Sequence, residues 1–83
     1  MSTQDPIVIV AAKRTPMGGF MGGLSAVSAT TLGATAIRGA MQAANLSNDQ
    51  VDEVIMGCVL PAGLKQAPAR QAALEADLDL STA

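Results

Sequence analysis

Cys58 is the side chain in this sequence best suited to nucleophilic chemistry, since the sequence has a single cysteine and no histidine. A cysteine nucleophile reacts as the thiolate, which a neighbouring base usually helps to form. Cys58 instead lies within the apolar run Val54–Leu60, where we expect a buried and unreactive thiol. The sequence favours a core role for Cys58 over a nucleophilic one, and it predicts no catalytic residue in this chain.

The carboxylates form two groups that are close in sequence. Paired carboxylates can act as general acid and base, but charged residues lie mostly at the solvated surface. We interpret both groups as surface, and the absence of any pattern rich in histidine or cysteine predicts no metal site. The two groups are Asp49, Asp52 and Glu53, and Glu75, Asp77 and Asp79.

Arg14 and the glycine-rich loop that follows it could contact a ligand. Arg14 comes after the apolar run Ile7–Ala12, and ligands often bind beyond the carboxyl ends of parallel strands. A structural hydrogen-bonding role for the guanidinium competes with this hypothesis and is favoured. The loop Met17–Gly23 lacks phosphate-binding spacing, because Phe20 stands where a second glycine is needed. We therefore predict a close-packing loop and no cofactor-binding residue.

The net charge and the amino-terminal sequence argue against several classes of protein. The net charge is −2 and the five basic residues are scattered, which argues against a nucleic-acid partner. Met1–Pro6 has no positive charge before a short apolar run, so we expect neither a signal peptide nor a membrane anchor. A single cysteine suits a reducing compartment. These features together predict a cytoplasmic protein.

The elements that would position these residues are two strands and two helices. Ile7–Ala12 and Val54–Leu60 are wholly apolar, which is typical of strands buried on both faces of a parallel sheet. Ser28 is a suitable N-cap for a helix over Ala29–Ala44. Pro68 suits the first turn of a second helix.

Small residues mark the faces of both helices, which predicts close packing. Gly33 and Gly39 lie inside the first helix and indicate a nearby backbone. Ser47–Gln50 fits a capping box before the second strand. The apolar stripe of the first helix is Leu32, Ala36, Ala40 and Ala44, flanked by Ile37 and Met41; the second helix has Ala69, Ala72, Ala73 and Ala76.

The predicted fold class is α/β, a β-α-β-α unit with parallel strands that occupies residues 1–83 as part of one domain. Two strands and two alanine-faced helices do not enclose a core. Alanine also buries little apolar area, so burial barely offsets the entropy of ordering. We therefore expect an incomplete unit whose sheet is completed by more of the same chain or by other chains.

Three motifs in order resemble the start of a thiolase, and most closely the acetyl-CoA acetyltransferase type. They are Lys13–Gly18 after the first apolar run, Glu53–Gly63, and Pro68–Ala73. The resemblance implies a longer parent enzyme with two similar α/β halves, of which this chain is the beginning of the first. It also implies a homo-oligomer, dimer or tetramer, without nucleic-acid or membrane partners.

The resemblance further implies a reaction that joins two acetyl-CoA molecules into acetoacetyl-CoA, or the reverse thiolysis. In thiolases a cysteine nucleophile, a histidine and a second cysteine do this chemistry, and all of them lie beyond the motifs found here. Cys58 is therefore not that nucleophile. No tightly bound cofactor is implied, since coenzyme A thioesters are substrates, and the 83-residue chain alone is predicted to be inactive.

Two alternatives remain open. The parent could be a degradative 3-ketoacyl-CoA thiolase, or the chain could be a non-catalytic interaction module derived from a thiolase. The stretch Leu64–Ala67 departs from the sequence found in many relatives, where Gly-Gln-Asn or a similar sequence precedes the proline. Residue roles in that stretch, including any in acyl chain length, are therefore not carried over.

Overall fold

The computed structural model describes residues 6–83 and contains two α-helices, α1 over Ala29–Ala44 and α2 over Pro68–Glu75. Both helices were predicted, and α1 has the predicted bounds. Residues 1–5, which carry most of the prediction about the amino terminus, lie outside the described residues.

Local signals define both ends of α1. The Ser28 hydroxyl accepts a hydrogen bond from the Thr31 N–H at 3.2 Å, which satisfies one of the free donors of the first turn. Asn45 ends the helix in the left-handed conformation, with φ of 57°. Its N–H and that of Leu46 donate to the carbonyls of Gln42 and Met41, at 3.1 and 3.0 Å. The N-cap prediction is confirmed.

Helix α2 begins with Pro68 and ends in a chain reversal. Ala67 precedes Pro68 in the left-handed region, with φ of 47°, and supplies no side-chain cap. At the other end Asp77 is also left-handed, with φ of 66°. The reversal at Asp77 lets the Leu78 N–H donate to the Ala73 carbonyl at 3.1 Å. Leu78 thereby folds back beneath the helix that it follows.

Helices α1 and α2 pack closely at Gly33. A Cβ atom built on Gly33 would lie 3.3 Å from the Ala72 Cβ and 3.3 Å from the Met56 Cε. The predicted close packing is confirmed here, although the nearest atoms belong to side chains and not to a neighbouring backbone. Gly39 differs, because a Cβ there would meet only the flexible Lys13 side chain, at 3.6 Å or more.

Replacing Gly33 by leucine is expected to destabilise the helix pair, whereas the same change at Gly39 is not. Overpacking a tight contact costs about 1–3 kcal/mol, partly offset at both sites by the better helix propensity of leucine. At Gly39 the Lys13 side chain can move aside, so the propensity gain remains. Circular dichroism of the two variants during urea unfolding measures the difference. Equal midpoints would contradict the close contact.

A small core lies between α1, α2 and the carboxyl-terminal segment. Met41, Ala73 and Leu78 form its centre, and Ile37, Val51 and Val54 pack around it. The buried face of α1 is therefore rotated around the helix axis relative to the predicted apolar stripe. Ala34 and Met41 are its buried residues, while the predicted members Leu32, Ala36, Ala40 and Ala44 are only half-buried. The reason is that α2 approaches α1 from the side of Gly33.

The two predicted strands do not form a sheet within residues 6–83. Ile7–Ala12 and Val54–Leu60 carry no regular secondary structure, so the helices of the predicted β-α-β-α unit are present but its parallel strands are not seen in the described chain. Their side chains are also open to solvent: Ile9 is 89% and Ile55 is 85% exposed. A strand exists through hydrogen bonds to neighbouring strands. Apart from Val54 at the start of the second run, no residue of either run makes a backbone hydrogen bond to another segment of the described chain.

Hydrogen bonds fasten the carboxyl-terminal segment to the residues before the second apolar run. The Ala83 N–H donates to the Asp52 carbonyl at 2.9 Å, and the Val54 N–H donates to the Ala83 carbonyl at 2.7 Å. The Thr82 hydroxyl donates to the Val51 carbonyl at 2.8 Å. From α2, the Arg70 guanidinium donates to the Thr82 carbonyl at 3.0 Å. These bonds hold the carboxyl-terminal segment against the residues that surround the small core.

The predicted capping box at Ser47–Gln50 forms in part. The Gln50 side chain accepts from the Ser47 N–H at 2.7 Å, as in a capping box. The Ser47 hydroxyl instead donates to the Asp49 carboxylate at 2.6 Å, and the stretch is a turn without a helix after it.

Candidate functional site

An open, mainly apolar pocket of about 220 Å³ lies where the two helices begin. Ala29 and Thr30 at the start of α1 form one wall, and Ala67 and Pro68 at the start of α2 form another. Residues 56–58 also line the pocket. The pocket thus brings Cys58 together with Leu64 and Ala67 from the stretch that precedes Pro68.

Cys58 lies in this pocket wall and is exposed, so the prediction of a buried core residue is wrong. The prediction rested on the apolar run being covered on both faces, and in this structure most of the run, including Cys58, is exposed. Exposure alone does not make a nucleophile. Among the described residues, the pocket walls contain no carboxylate, imidazole or amine that could act as a base toward the thiol.

The stretch Gly63–Ala67 forms the remaining wall through Leu64 and is held by Gln71. The Gln71 side-chain nitrogen donates to the carbonyls of Leu64 and Gln66, at 2.5 and 2.8 Å. Gln71 was not among the residues to which a role was predicted from the sequence. The available signal was its position one turn after Pro68 on an otherwise alanine-faced helix, where a side chain can reach back to the preceding loop.

Arg14 and the glycine-rich loop lie away from the pocket walls. The Arg14 side chain is exposed and donates to the neighbouring Thr15 carbonyl at 3.1 Å. In the loop, the Gly22 N–H donates to the Gly19 carbonyl at 2.9 Å, and Gly18 is left-handed with φ of 66°. A Cβ on Gly22 would lie 3.0 Å from the Gly19 oxygen, so a larger residue at this position would crowd the turn. The loop is built as a sequence of tight turns.

The carboxylates lie on the surface, as predicted, and do not converge. All six residues of the two groups are exposed. Hydrogen bonds from the Ser81 backbone N–H and then from its hydroxyl hold the pKa of Asp79 below its ordinary value. Within residues 6–83 no cluster of three or more histidine, cysteine, aspartate or glutamate side chains is arranged to hold a metal ion. The described part of the chain also has no helix that is long and apolar enough to cross a membrane.

The family model of the thiolase N-terminal domain matches residues 7–83. The mitochondrial acetyl-CoA acetyltransferase of Xenopus tropicalis is 51% identical over 80 residues, which cover 96% of this chain and 19% of that protein. The mitochondrial enzyme of Danio rerio is 55% identical over 78 residues, covering 94% and 19%. The cytosolic acetyl-CoA acetyltransferase of Gibberella zeae is 49% identical over 78 residues, covering 94% and 20%.

The fold is also similar to a solved structure. The crystal structure of Acat5 thiolase from Ascaris suum in complex with coenzyme A matches with a TM-score of 0.86 and 35% identity, covering 89% of this chain and 19% of that one. The chain thus spans about a fifth of the length of the relatives that it matches. Since nearly all of its residues fit the N-terminal domain of one family, this chain belongs to the thiolase family.

Proposed function

We propose that this chain is the N-terminal segment of an acetyl-CoA acetyltransferase, which condenses two acetyl-CoA molecules into acetoacetyl-CoA or catalyses the reverse thiolysis. The observation that carries the proposal is the identity of about half of its residues to acetyl-CoA acetyltransferases over nearly its whole length. The similar thiolase from Ascaris suum, solved in complex with coenzyme A, supports coenzyme A thioesters as the substrates.

In this proposal the segment contributes scaffold and no reacting group. Its pocket offers methyl groups, a thioether, a thiol and one threonine hydroxyl, none of which is placed beside a base. The nucleophile, the proton-transfer groups and the coenzyme A contacts then come from the remainder of the enzyme. The 83-residue chain alone is accordingly predicted to have no thiolase activity.

The finer part of the proposal concerns the two apolar runs. Ile7–Ala12 and Val54–Leu60 become parallel strands in the complete enzyme, where other strands lie beside them. Support comes from their composition and from their exposure in this chain, since apolar surface of this kind is normally covered by a partner. The covering partner is the remainder of the thiolase chain.

A chimera tests this function. Residues 7–83 replace the matching residues of the Danio rerio acetyl-CoA acetyltransferase, and thiolysis of acetoacetyl-CoA is measured against the unmodified enzyme. We expect the chimera to retain activity within about tenfold, because sequences about half identical conserve core volume and pattern well enough to fold. The isolated 83-residue chain, assayed in parallel, is the negative control.

The same assay addresses the alternatives. A folded chimera without activity would contradict the proposal and favour a non-catalytic interaction module. Comparing acetoacetyl-CoA with longer 3-ketoacyl-CoA substrates addresses the degradative thiolase, for which a clear preference for the longer substrates is expected. The relatives described above are named acetyl-CoA acetyltransferases, which favours the short substrate.

Cellular location and assembly belong to the same proposal. A cytoplasmic location is supported by the cytosolic Gibberella zeae relative, whereas the Xenopus tropicalis and Danio rerio relatives are named mitochondrial. A fluorescent fusion of the complete protein distinguishes the two compartments. The homo-oligomer, dimer or tetramer, stays a prediction that light scattering of the complete protein checks.

A further inference from the structure

Ala83 is bonded to the residues around Glu53 in the pattern of a parallel ladder. Its N–H donates to the Asp52 carbonyl at 2.9 Å, and its carbonyl accepts from the Val54 N–H at 2.7 Å. In an antiparallel ladder the two bonds of a residue go to one residue of the neighbouring strand, whereas in a parallel ladder they go to the residues on either side of it. Ala83 is therefore in parallel register with Glu53.

Further bonds fix the direction in which the chain reaches Ala83. The Thr82 side chain is buried, and its hydroxyl donates to the Val51 carbonyl at 2.8 Å. From α2, the Arg70 guanidinium donates to the carbonyls of Thr82 and Leu80, at 3.0 and 3.4 Å. A buried polar group that loses its partner carries the full cost of its desolvation. Thr82 thus anchors the residue that leads into the ladder.

Helix α2 has the place of a crossover helix. Parallel strands need a crossover connection, which usually contains a helix. In the chain, α2 lies between the run Val54–Leu60 and Ala83, and the small core packs α2 and Leu78 against Val54. The apolar run, α2 and Ala83 are thus connected in the order of a β-α-β unit.

The edge that Ala83 meets continues along the second apolar run. Beyond Val54, no residue of this run makes a backbone hydrogen bond to another described segment, and Val59 is 93% exposed. Open N–H and C=O groups along an edge are a template for another strand. The occupant that fits is the segment that directly follows Ala83, because Ala83 already places it in line with this edge. A second copy or another chain would have to compete with it.

Building on the proposed function, we infer that the segment directly after Ala83 in the complete enzyme is a strand parallel to Val54–Leu60, anchored by Thr82. Because a parallel ladder repeats every two residues, the next bonds are defined. The carbonyl of the second residue after Ala83 accepts from the Met56 N–H. The carbonyl of the fourth residue accepts from the Cys58 N–H. The chain itself thereby covers one edge of its exposed apolar run.

A crystal structure of the chimera with the Danio rerio enzyme shows the register directly. We expect the Met56 and Cys58 amide nitrogens to lie about 2.9 Å from the carbonyl oxygens of the second and fourth residues after Ala83. Antiparallel pairing, a register shifted by one residue or more, or another segment at this edge overturns the inference. Should the chimera not fold, the complete protein that contains this chain takes its place, and the same two bonds decide.

Thr82→Val tests the anchor in the same chimera. Valine keeps the shape of threonine but loses the hydroxyl that donates to Val51. We expect hydrogen exchange of the peptide over residues 54–60, measured by mass spectrometry, to become about tenfold faster through local opening. Thr35→Val is the matched control, because the Thr35 hydroxyl also donates to a carbonyl, that of Thr31 at 2.9 Å, but within α1. It should leave this exchange within about twofold.

The inference needs both the two bonds and the faster exchange, so equal exchange in the Thr82→Val and Thr35→Val chimeras overturns it. Thiolysis activity is a separate result. An active chimera without the two bonds overturns the pairing alone. A folded chimera that has the bonds and the faster exchange but no activity supports the pairing and contradicts the proposed function.

Discussion

Replacing Leu78 by alanine is expected to remove most of the helical signal of this chain. Leu78 is 5% exposed and packs with Met41 and Ala73 at the centre of the core. Truncating a buried leucine to alanine costs about 2–5 kcal/mol, through lost apolar burial and the cavity left behind. That loss is comparable with the whole stability of a small domain, and this core is built mostly from alanine. Circular dichroism and thermal unfolding measure the change.

Leu80→Ala is the matched control, because the residue type and the change are the same two positions later. Leu80 is 75% exposed, so its truncation should change stability by less than about 0.5 kcal/mol. Similar unfolding midpoints for the two variants would show that Leu78 does not anchor the core.

The importance of Leu78 was not apparent from the sequence. The predicted apolar face of α2 ended at Ala76, so Leu78 was given no place in the core. The structure explains the burial of Leu78 by the left-handed Asp77, after which the chain reverses. Leu78 then points into the core and Leu80 to solvent. Such a reversal at a residue other than glycine has little signature in one sequence.

The helices were predictable because their signals are local. Ser28 caps the start of α1, Asn45 ends it, and Pro68 begins α2. Each of these signals acts among residues within one turn of each other. The small residue at Gly33 also predicted a close contact correctly, although the partner, Ala72, could not be identified from spacing alone. The side of α1 that faces the core was predicted less well, because it depends on the direction from which α2 approaches.

The predicted strands are not seen in the described chain, and Cys58 is exposed, for a common reason. An apolar run predicts that burial is favourable, but it does not say which atoms provide the cover. Val54–Leu60 has the composition of a central strand, and Cys58 was predicted to be buried because it lies within that run. In this structure most of the run has no partner beside it, so neither the strand nor the burial of Cys58 is seen. The likeness to a thiolase that is about five times longer gives this difference a physical explanation.

The second large effect is expected from a charge placed at Ile9. Ile9→Asp is expected to leave the 83-residue chain nearly unchanged, but to abolish the activity of the chimera with the Danio rerio enzyme. In the chain, Ile9 is 89% exposed, so a charge at that position meets water. In the complete enzyme the same side chain lies inside the proposed sheet. Burying an unpaired carboxylate there is prohibitively unfavourable, so the enzyme misfolds or the strand stays out of the sheet.

Ile9→Val is the matched control for Ile9→Asp at the same position. Valine keeps an apolar, β-branched side chain, so both the chain and the chimera should tolerate it with about 0.5–1.5 kcal/mol of lost stability at most. The pair Ile55→Asp and Ile55→Val repeats the comparison in the second run, where Ile55 is 85% exposed. Full thiolysis activity in the Ile9→Asp chimera would mean that this run stays at the surface of the complete enzyme. The exposed apolar residues would then need a partner other than the remainder of the thiolase.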